Sequence, residues 1–149
     1  MRRAKKKTTA EDEALGRSRG GFSSKIHAIV DALGNPMRFT LTPGQRSDCT
    51  QTELLLEPYK PAAVIADKAY DTKDIALLIE SLGAQTVIPS RRNRLIIREI
   101  DTNLYKDRNK VERFFNRLKH YRRIATRYDK TAQNYLSFVY VASIRVLLL

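Results

Sequence analysis

Four residues in one short stretch have the types and spacing to handle phosphate chemistry. They are Tyr105, Arg108, Glu112 and Lys119, in the segment YKDRNKVERFFNRLK. Glu112 sits there among Lys106, Arg108, Lys110, Arg113, Arg117 and Lys119. At about 100° per helical residue, Arg108, Glu112 and Lys119 fall within about 40° of one another. Tyr105 joins that stripe if the helix starts early enough. Val111, Phe114 and Leu118 have apolar spacing for the opposite, packing face. A carboxylate flanked by cations suits a metal ion, and the cations suit a phosphate. The plain alternative is a solvated helix face on which Arg108 and Glu112 are an ordinary i,i+4 pair.

A second acid strengthens the chemical reading. Ala62 to Ala66 is a short apolar run, expected as a strand buried on both faces of a mixed sheet, and Asp67 ends it. An acid at the C-terminal end of such a strand is a frequent ligand position in open α/β sheets, although it also serves as a turn cap. Two carboxylates from different elements, in a cationic chain, suit a divalent metal that assists phosphoryl transfer. A two-metal site wants a third acid, and none is evident. Asp31 falls in a turn, Asp48 at a helix start, Asp71 and Asp74 at the helix after Asp67, and Asp12 in a polar arm. Asp67 and Glu112 are expected to approach each other in the fold.

The 149 residues suit one domain, and a 42% hydrophobic fraction supports a core. The formal net charge of +12 points to a polyanionic partner, most commonly nucleic acid. Membrane is set aside, because Gln133, Asn134, Ser137, Ser143 and Arg145 interrupt the apolar C-terminal segment, which reads as a buried core helix. The charged N-terminus lacks the apolar region of a signal peptide. Cys49 is the one cysteine, so no internal disulfide forms, and a reducing cytoplasm fits.

Residues 1–20 read as a flexible basic arm or loop. Phe22 to Val30 alternate as a strand, DALGNP turns, and Met37 to Leu41 return as a hairpin. A helix is expected over 49–58, capped by Ser47 or Asp48. The strand ending at Asp67 follows, then a helix capped by Asp71 or Thr72 and stopped by Gly83. AQTVIPS is a further strand, RRNRLIIREIDTN a basic loop, and two helices close the chain. In that loop Arg91, Arg92 and Arg94 are candidate DNA contacts. The run Arg2 to Lys7 either grips phosphate or is a solvated tail. YRRIATRY, Tyr121 to Tyr128, mixes aromatics with Arg and suits either DNA or packing. His27 is expected to be structural or DNA-adjacent, since hard Mg²⁺ prefers oxygen.

The segments GRSRGGFSSKIH, VDALGNPMRFTLTPGQ, ADKAYD and YKDRNKVERFFNRLKHYRRIATRYDK together resemble the C-terminal part of a DDE transposase from a bacterial insertion sequence of the insertion-sequence-five type. That resemblance implies an α/β, RNase H-like mixed sheet flanked by helices. It implies catalytic, Mg²⁺- or Mn²⁺-binding roles for Asp67 and Glu112, with Tyr105, Arg108 and Lys119 orienting DNA. The family's first catalytic Asp lies on a strand ahead of the segment matching Gly16 to His27, where this sequence shows no strand. The expectation is therefore a partial catalytic domain over 21–149, lacking the first strand. Such a chain is a fragment or second reading frame, inactive by itself. It would act on element ends and target DNA with other transposase subunits or the upstream frame's product. The rival expectation is a non-catalytic DNA-binding remnant. A metal-dependent nuclease is a third.

Overall fold

The computed structural model describes residues 9–18 and 21–149. The basic run Arg2 to Lys7, and with it part of the expected arm, lies outside the described residues. Five strands are described: β1 (Gly16–Ser18), β2 (Gly21–Val30), β3 (Pro36–Pro43), β4 (Ala63–Ile65) and β5 (Gln85–Val87). Six α-helices accompany them: α1 (Thr52–Leu56), α2 (Lys73–Ser81), α3 (Thr102–Tyr105), α4 (Asn109–Lys119), α5 (Arg122–Ala125) and α6 (Ala132–Leu147). The fold is mixed α/β.

The strands form two sheets among the described residues, where a single mixed sheet is the expectation. One has the order β1-β2-β3, and the other pairs β4 with β5 in parallel. β1 lies in the stretch expected as arm, pairing antiparallel with β2 through Gly16↔Ser23 and Arg17↔Phe22. The composition of residues 1–20 masks this strand, since three residues are too few for an apolar alternation to show. The β2–β3 turn is built on Asp31. Its Oδ1 accepts from the backbone N–H groups of Leu33 and Asn35, and Gly34 supplies the positive φ of 92°. These bonds commit Asp31 to the turn.

The chain divides into two compact units. The first comprises Ala28–Phe39 and Ser47–Asn116. Its centre is Leu56, Ile75, Ile79 and Ile88, with Val64, Ala66, Tyr70, Leu78 and Leu82 packed against them. α2 supplies most of this cluster because Ile75, Leu78, Ile79 and Leu82 recur at helical spacing. Thr72 Oγ1 caps its start by accepting from the Ile75 N–H, and Gly83 follows its end at φ 70°. The expected helix over 49–58 is shorter, a 3-10 turn over Asp48–Gln51 leading into α1, and Ser47 makes no side-chain cap. β4 is half-buried, not buried on both faces, because β5 is its one partner among the described residues. The single helix expected across Tyr105 to Lys119 is broken into α3, a 3-10 turn over Lys106–Arg108 and α4. Phe114 of α4 is buried and stacks on Phe39 at 5.8 Å between ring centroids.

The second unit comprises Met1–His27, Thr40–Arg46 and Arg117–Leu149. α6 buries Tyr135, Val139, Ala142, Ser143 and Val146. Its other side leaves Val141, Ile144 and Leu148 exposed, so the helix is half-buried where full burial is the sequence expectation. No described helix is long and apolar enough to cross a membrane. Arg127 ties this unit together. It donates to the carbonyl oxygens of Glu13, Asp129 and Lys130 and lies 5.2 Å from the Tyr135 ring centroid. Glu13 in turn accepts from the Ala132 N–H at the start of α6. In YRRIATRY, then, Arg127 is structural and Ile124 is core. His27 is buried and bonded to Thr42 at 2.7 Å, a structural role.

Packing in α2 separates two substitutions on one helix. Ile79→Ala should cost about 2–5 kcal/mol, because a fully buried side chain leaves a cavity. Leu77→Ala, at a half-exposed position, should stay within about 0.5 kcal/mol. Urea unfolding followed by circular dichroism compares them directly.

Candidate active site

Asp67 lies two residues past the end of β4 and opens a 3-10 turn over Lys68–Tyr70. Its Oδ1 accepts from the Ala69 N–H at 2.7 Å, so it does cap the turn. Its Oδ2 accepts no hydrogen bond among the described residues. Asp67 also lines a cleft of about 720 Å³ with Lys68, Ala69, Pro89, Arg91, Arg92, Tyr105 and Arg108. The cleft therefore draws on the end of β4, the segment after β5 and the turn between α3 and α4. Four cationic side chains and one carboxylate line it. A second cleft, about 520 Å³, carries Glu53 and Asp74 and no basic side chain. Of these two, the first has the charge to receive phosphate.

Arg108 lines the cleft with Asp67 and is bonded to Glu112. Its Nη1 donates to Glu112 Oε1 at 2.6 Å, and its guanidinium stands 5.7 Å from the Tyr105 ring centroid. The hydrogen bond to Glu112 raises the Arg108 pKa; burial opposes this, and the negative charges of Glu112 and Asp67 add to it. The break in the helix does not undo the predicted spacing, since the Arg108–Glu112 pair survives across the junction. Tyr70 sits behind Asp67, its pKa pushed up to about 12 by burial and by Asp48 and Asp67. It stays protonated at neutral pH and is no nucleophile.

Not all predicted residues meet here. Lys119 is exposed at the end of α4, counts with the second unit and does not line the cleft. Arg94 turns away to Asp71, donating through Nε at 3.0 Å and through Nη2 at 3.1 Å. Arg91 keeps a place in the cleft while its guanidinium donates to the Lys68 and Ala69 carbonyls. Lys68 is a cleft cation not singled out from sequence, because one lysine in so basic a chain carries no signal.

Of the two caps that the sequence offers for α2, Asp71 or Thr72, it is Thr72 that caps, and Asp71 is a buried anchor at 3% exposure. It accepts from the Arg91 N–H, from Arg94 and from Arg98 Nη1. Burial pushes its carboxyl up, but these bonds and the Arg94 and Arg98 charges outweigh it, leaving the pKa below the usual 3.8.

The donor set admits a hard divalent cation. Asp67 and Glu112 offer oxygens from two elements, and Mg²⁺ is commonly held by one or two carboxylates with water and substrate phosphate completing the shell. No group of three or more His, Cys, Asp or Glu side chains that could hold a metal occurs among the described residues. The half-exposed Arg108–Glu112 pair is worth only about 0.3–0.5 kcal/mol. An entering cation or phosphate can therefore displace it. Asp71 offers no such vacancy.

Comparison with known proteins gives the chain a family. Residues 3–147 match the transposase DDE domain, and the chain belongs to that family. It is 43% identical over 123 residues to a Brucella ovis protein named as a candidate transposase for insertion sequence element IS6501, covering 81% of this chain and 95% of that one. It is 30% identical over 128 residues to a Burkholderia cepacia protein similarly named for IS402. That match covers 78% of this chain but spans only 58% of the relative's length. No solved structure matches the chain.

The Asp71 anchor predicts an acid-sensitive stability. A folded pKa below the unfolded value, about 3.9, stabilises the fold above that pH and loses the effect as pH falls through the folded pKa. Asp71→Asn should cost about 1.5–3 kcal/mol at pH 7, the worth of hydrogen bonds to a charged group. Urea midpoints of the two proteins should converge below about pH 4.

Proposed function

We propose that this chain serves DNA transposition as a DDE transposase catalytic domain of RNase H-like fold and insertion-sequence-five type, corresponding to the C-terminal part of such a domain. The observation that carries the proposal is the cationic cleft that Asp67 and Arg108 both line, with Arg108 hydrogen-bonded to Glu112. Its chemistry is cutting and joining of DNA phosphodiesters. Water attacks phosphorus at the element end, the bond to the 3′-oxygen breaks, and the freed 3′-hydroxyl then attacks a target phosphorus, whose own bond to a target 3′-oxygen breaks as the new bond forms.

Each cleft residue has a part in that reading. Lys68, Arg91 and Arg92 hold phosphate oxygens, and the Tyr105 ring supports the Arg108 guanidinium. Arg108 moves from Glu112 to phosphate when DNA enters. Asp67 and Glu112 would hold Mg²⁺ or Mn²⁺, which stabilises the attacking and leaving oxygens when bound. Lys119 and the basic run Arg2 to Lys7 supply further phosphate contacts. A third carboxylate from another segment or another transposase subunit completes the acid set. The second reading, a non-catalytic DNA-binding remnant, keeps the cations and needs neither acid.

Binding and cleavage separate the two. Duplex affinity should fall about 100-fold between 50 and 200 mM salt if four phosphates are neutralised. Arg92→Ala should reduce the log–log salt slope by about one. Salt-insensitive binding, or none at low salt, would sink the DNA reading. Cleavage of labelled element ends should require the added carboxylate-bearing segment or subunit. In that assembly Asp67→Ala or Glu112→Ala should abolish Mg²⁺-dependent cutting while changing duplex affinity less than about threefold, because metal ligation and phosphate contact are separate functions. Cleavage that survives both substitutions removes the two acids from the mechanism.

A further inference from the structure

The loop after β5 carries a feature that phosphate binding does not use. Leu95 is fully exposed, and Ile96 and Ile97 are 85% and 76% exposed. Single exposed leucines are ordinary, but three consecutive aliphatics standing in water are not, unless they meet something. The residues on either side of them are arginines, Arg94 and Arg98, and both guanidiniums are bonded to the one buried carboxylate of Asp71. Arg98 also donates to the Ile88 carbonyl, and its N–H donates to Ser90 Oγ at 2.8 Å. The Arg94 N–H donates to the Arg91 carbonyl at 3.0 Å. The tip is thus held at both of its ends while its own side chains touch little.

We infer that Leu95, Ile96 and Ile97 form an apolar wedge that enters a DNA base step beside the cationic cleft. Charge selects the partner. The stretch 90–98 contains four arginines and no acid, and Arg91 and Arg92 from the same loop line the cleft. A surface of that composition is drawn to a polyanion, and stacked nucleic acid is a polyanion whose apolar base steps side chains can enter. Leucine and isoleucine are among the side chains that part base steps, at a cost in unstacking of a few kcal/mol per step. Clamping the tip in advance lowers the ordering cost of insertion. Asp71 is accordingly a positioning residue for DNA as well as a structural one. This inference rests on the DNA reading above and adds deformation of the duplex to it.

An inserted wedge favours DNA that is already easy to unstack. The full chain should bind a duplex with a central mismatch about tenfold more tightly than the matched duplex at low salt. 2-Aminopurine beside the mismatch should brighten on binding. The triple variant L95S/I96S/I97S changes only exposed side chains, and an unchanged urea midpoint verifies its fold. It should lose the mismatch preference and the brightening, while its salt slope on matched duplex stays that of the parent. Asp71→Asn should lower the preference as well, with the aliphatic residues intact. A parent without mismatch preference, or a triple variant that retains it, overturns the wedge while the DNA reading stands. Absence of duplex binding by the parent overturns both. If sedimentation shows instead that the triple variant breaks up a self-associated form with DNA behaviour unchanged, the tip is a protein contact and the wedge is overturned.

Discussion

The buried carboxylate of Asp71 is the constraint on which the site's geometry depends. An ionised group at 3% exposure is tolerable only when its oxygens are filled, and here a backbone N–H and two arginines fill them. The donors come from 20 to 27 residues further along the chain. One electrostatic requirement therefore fixes the segment after β5 against the start of α2. That arrangement puts Arg91 and Arg92 beside Asp67 and leaves the tip at Leu95 to Ile97 projecting. The hydrophobic cluster around Ile79 and Ile88 holds the sheet and helix on which Asp71 rests.

The acids of this unit divide by what they have left to give. Asp71 is saturated and its arginines cannot leave without exposing a buried charge. Asp31 is consumed by its turn. Asp67 gives one oxygen to a backbone N–H and keeps the other, and Glu112 is engaged only by a half-exposed ion pair. A weak surface pair is the right device for a group that must later exchange partners, because its rupture costs a fraction of a kcal/mol. The same logic sorts the arginines. Arg94, Arg98 and Arg127 build the protein, whereas Arg92 and Arg108 remain able to meet a ligand.

Much of this was legible before any coordinates. The β2–β3 hairpin, β4 with Asp67 just beyond its end, α2 between Thr72 and Gly83, and the i,i+4 contact of Arg108 with Glu112 all rest on local rules of alternation, capping and helical period. The family too follows from short segments, because ADKAYD and the spacing from Tyr105 to Lys119 are local patterns. The sequence by itself determined which residues were chemically capable. It could not rank Arg91, Arg92 and Arg94, which are near neighbours of one type.

Tertiary structure decided which of those capable residues are free. Asp71 and Asp67 lie four positions apart and look alike in sequence, yet burial beneath two arginines makes one an anchor and leaves the other at a cleft. The break between α3 and α4 and the half-exposure of α6 are likewise outcomes of packing. The physical reason is that the availability of a charge depends on its desolvation and on partners distant in the chain. Those are fixed by the three-dimensional arrangement, whereas helical period and turn chemistry act over a handful of adjacent residues.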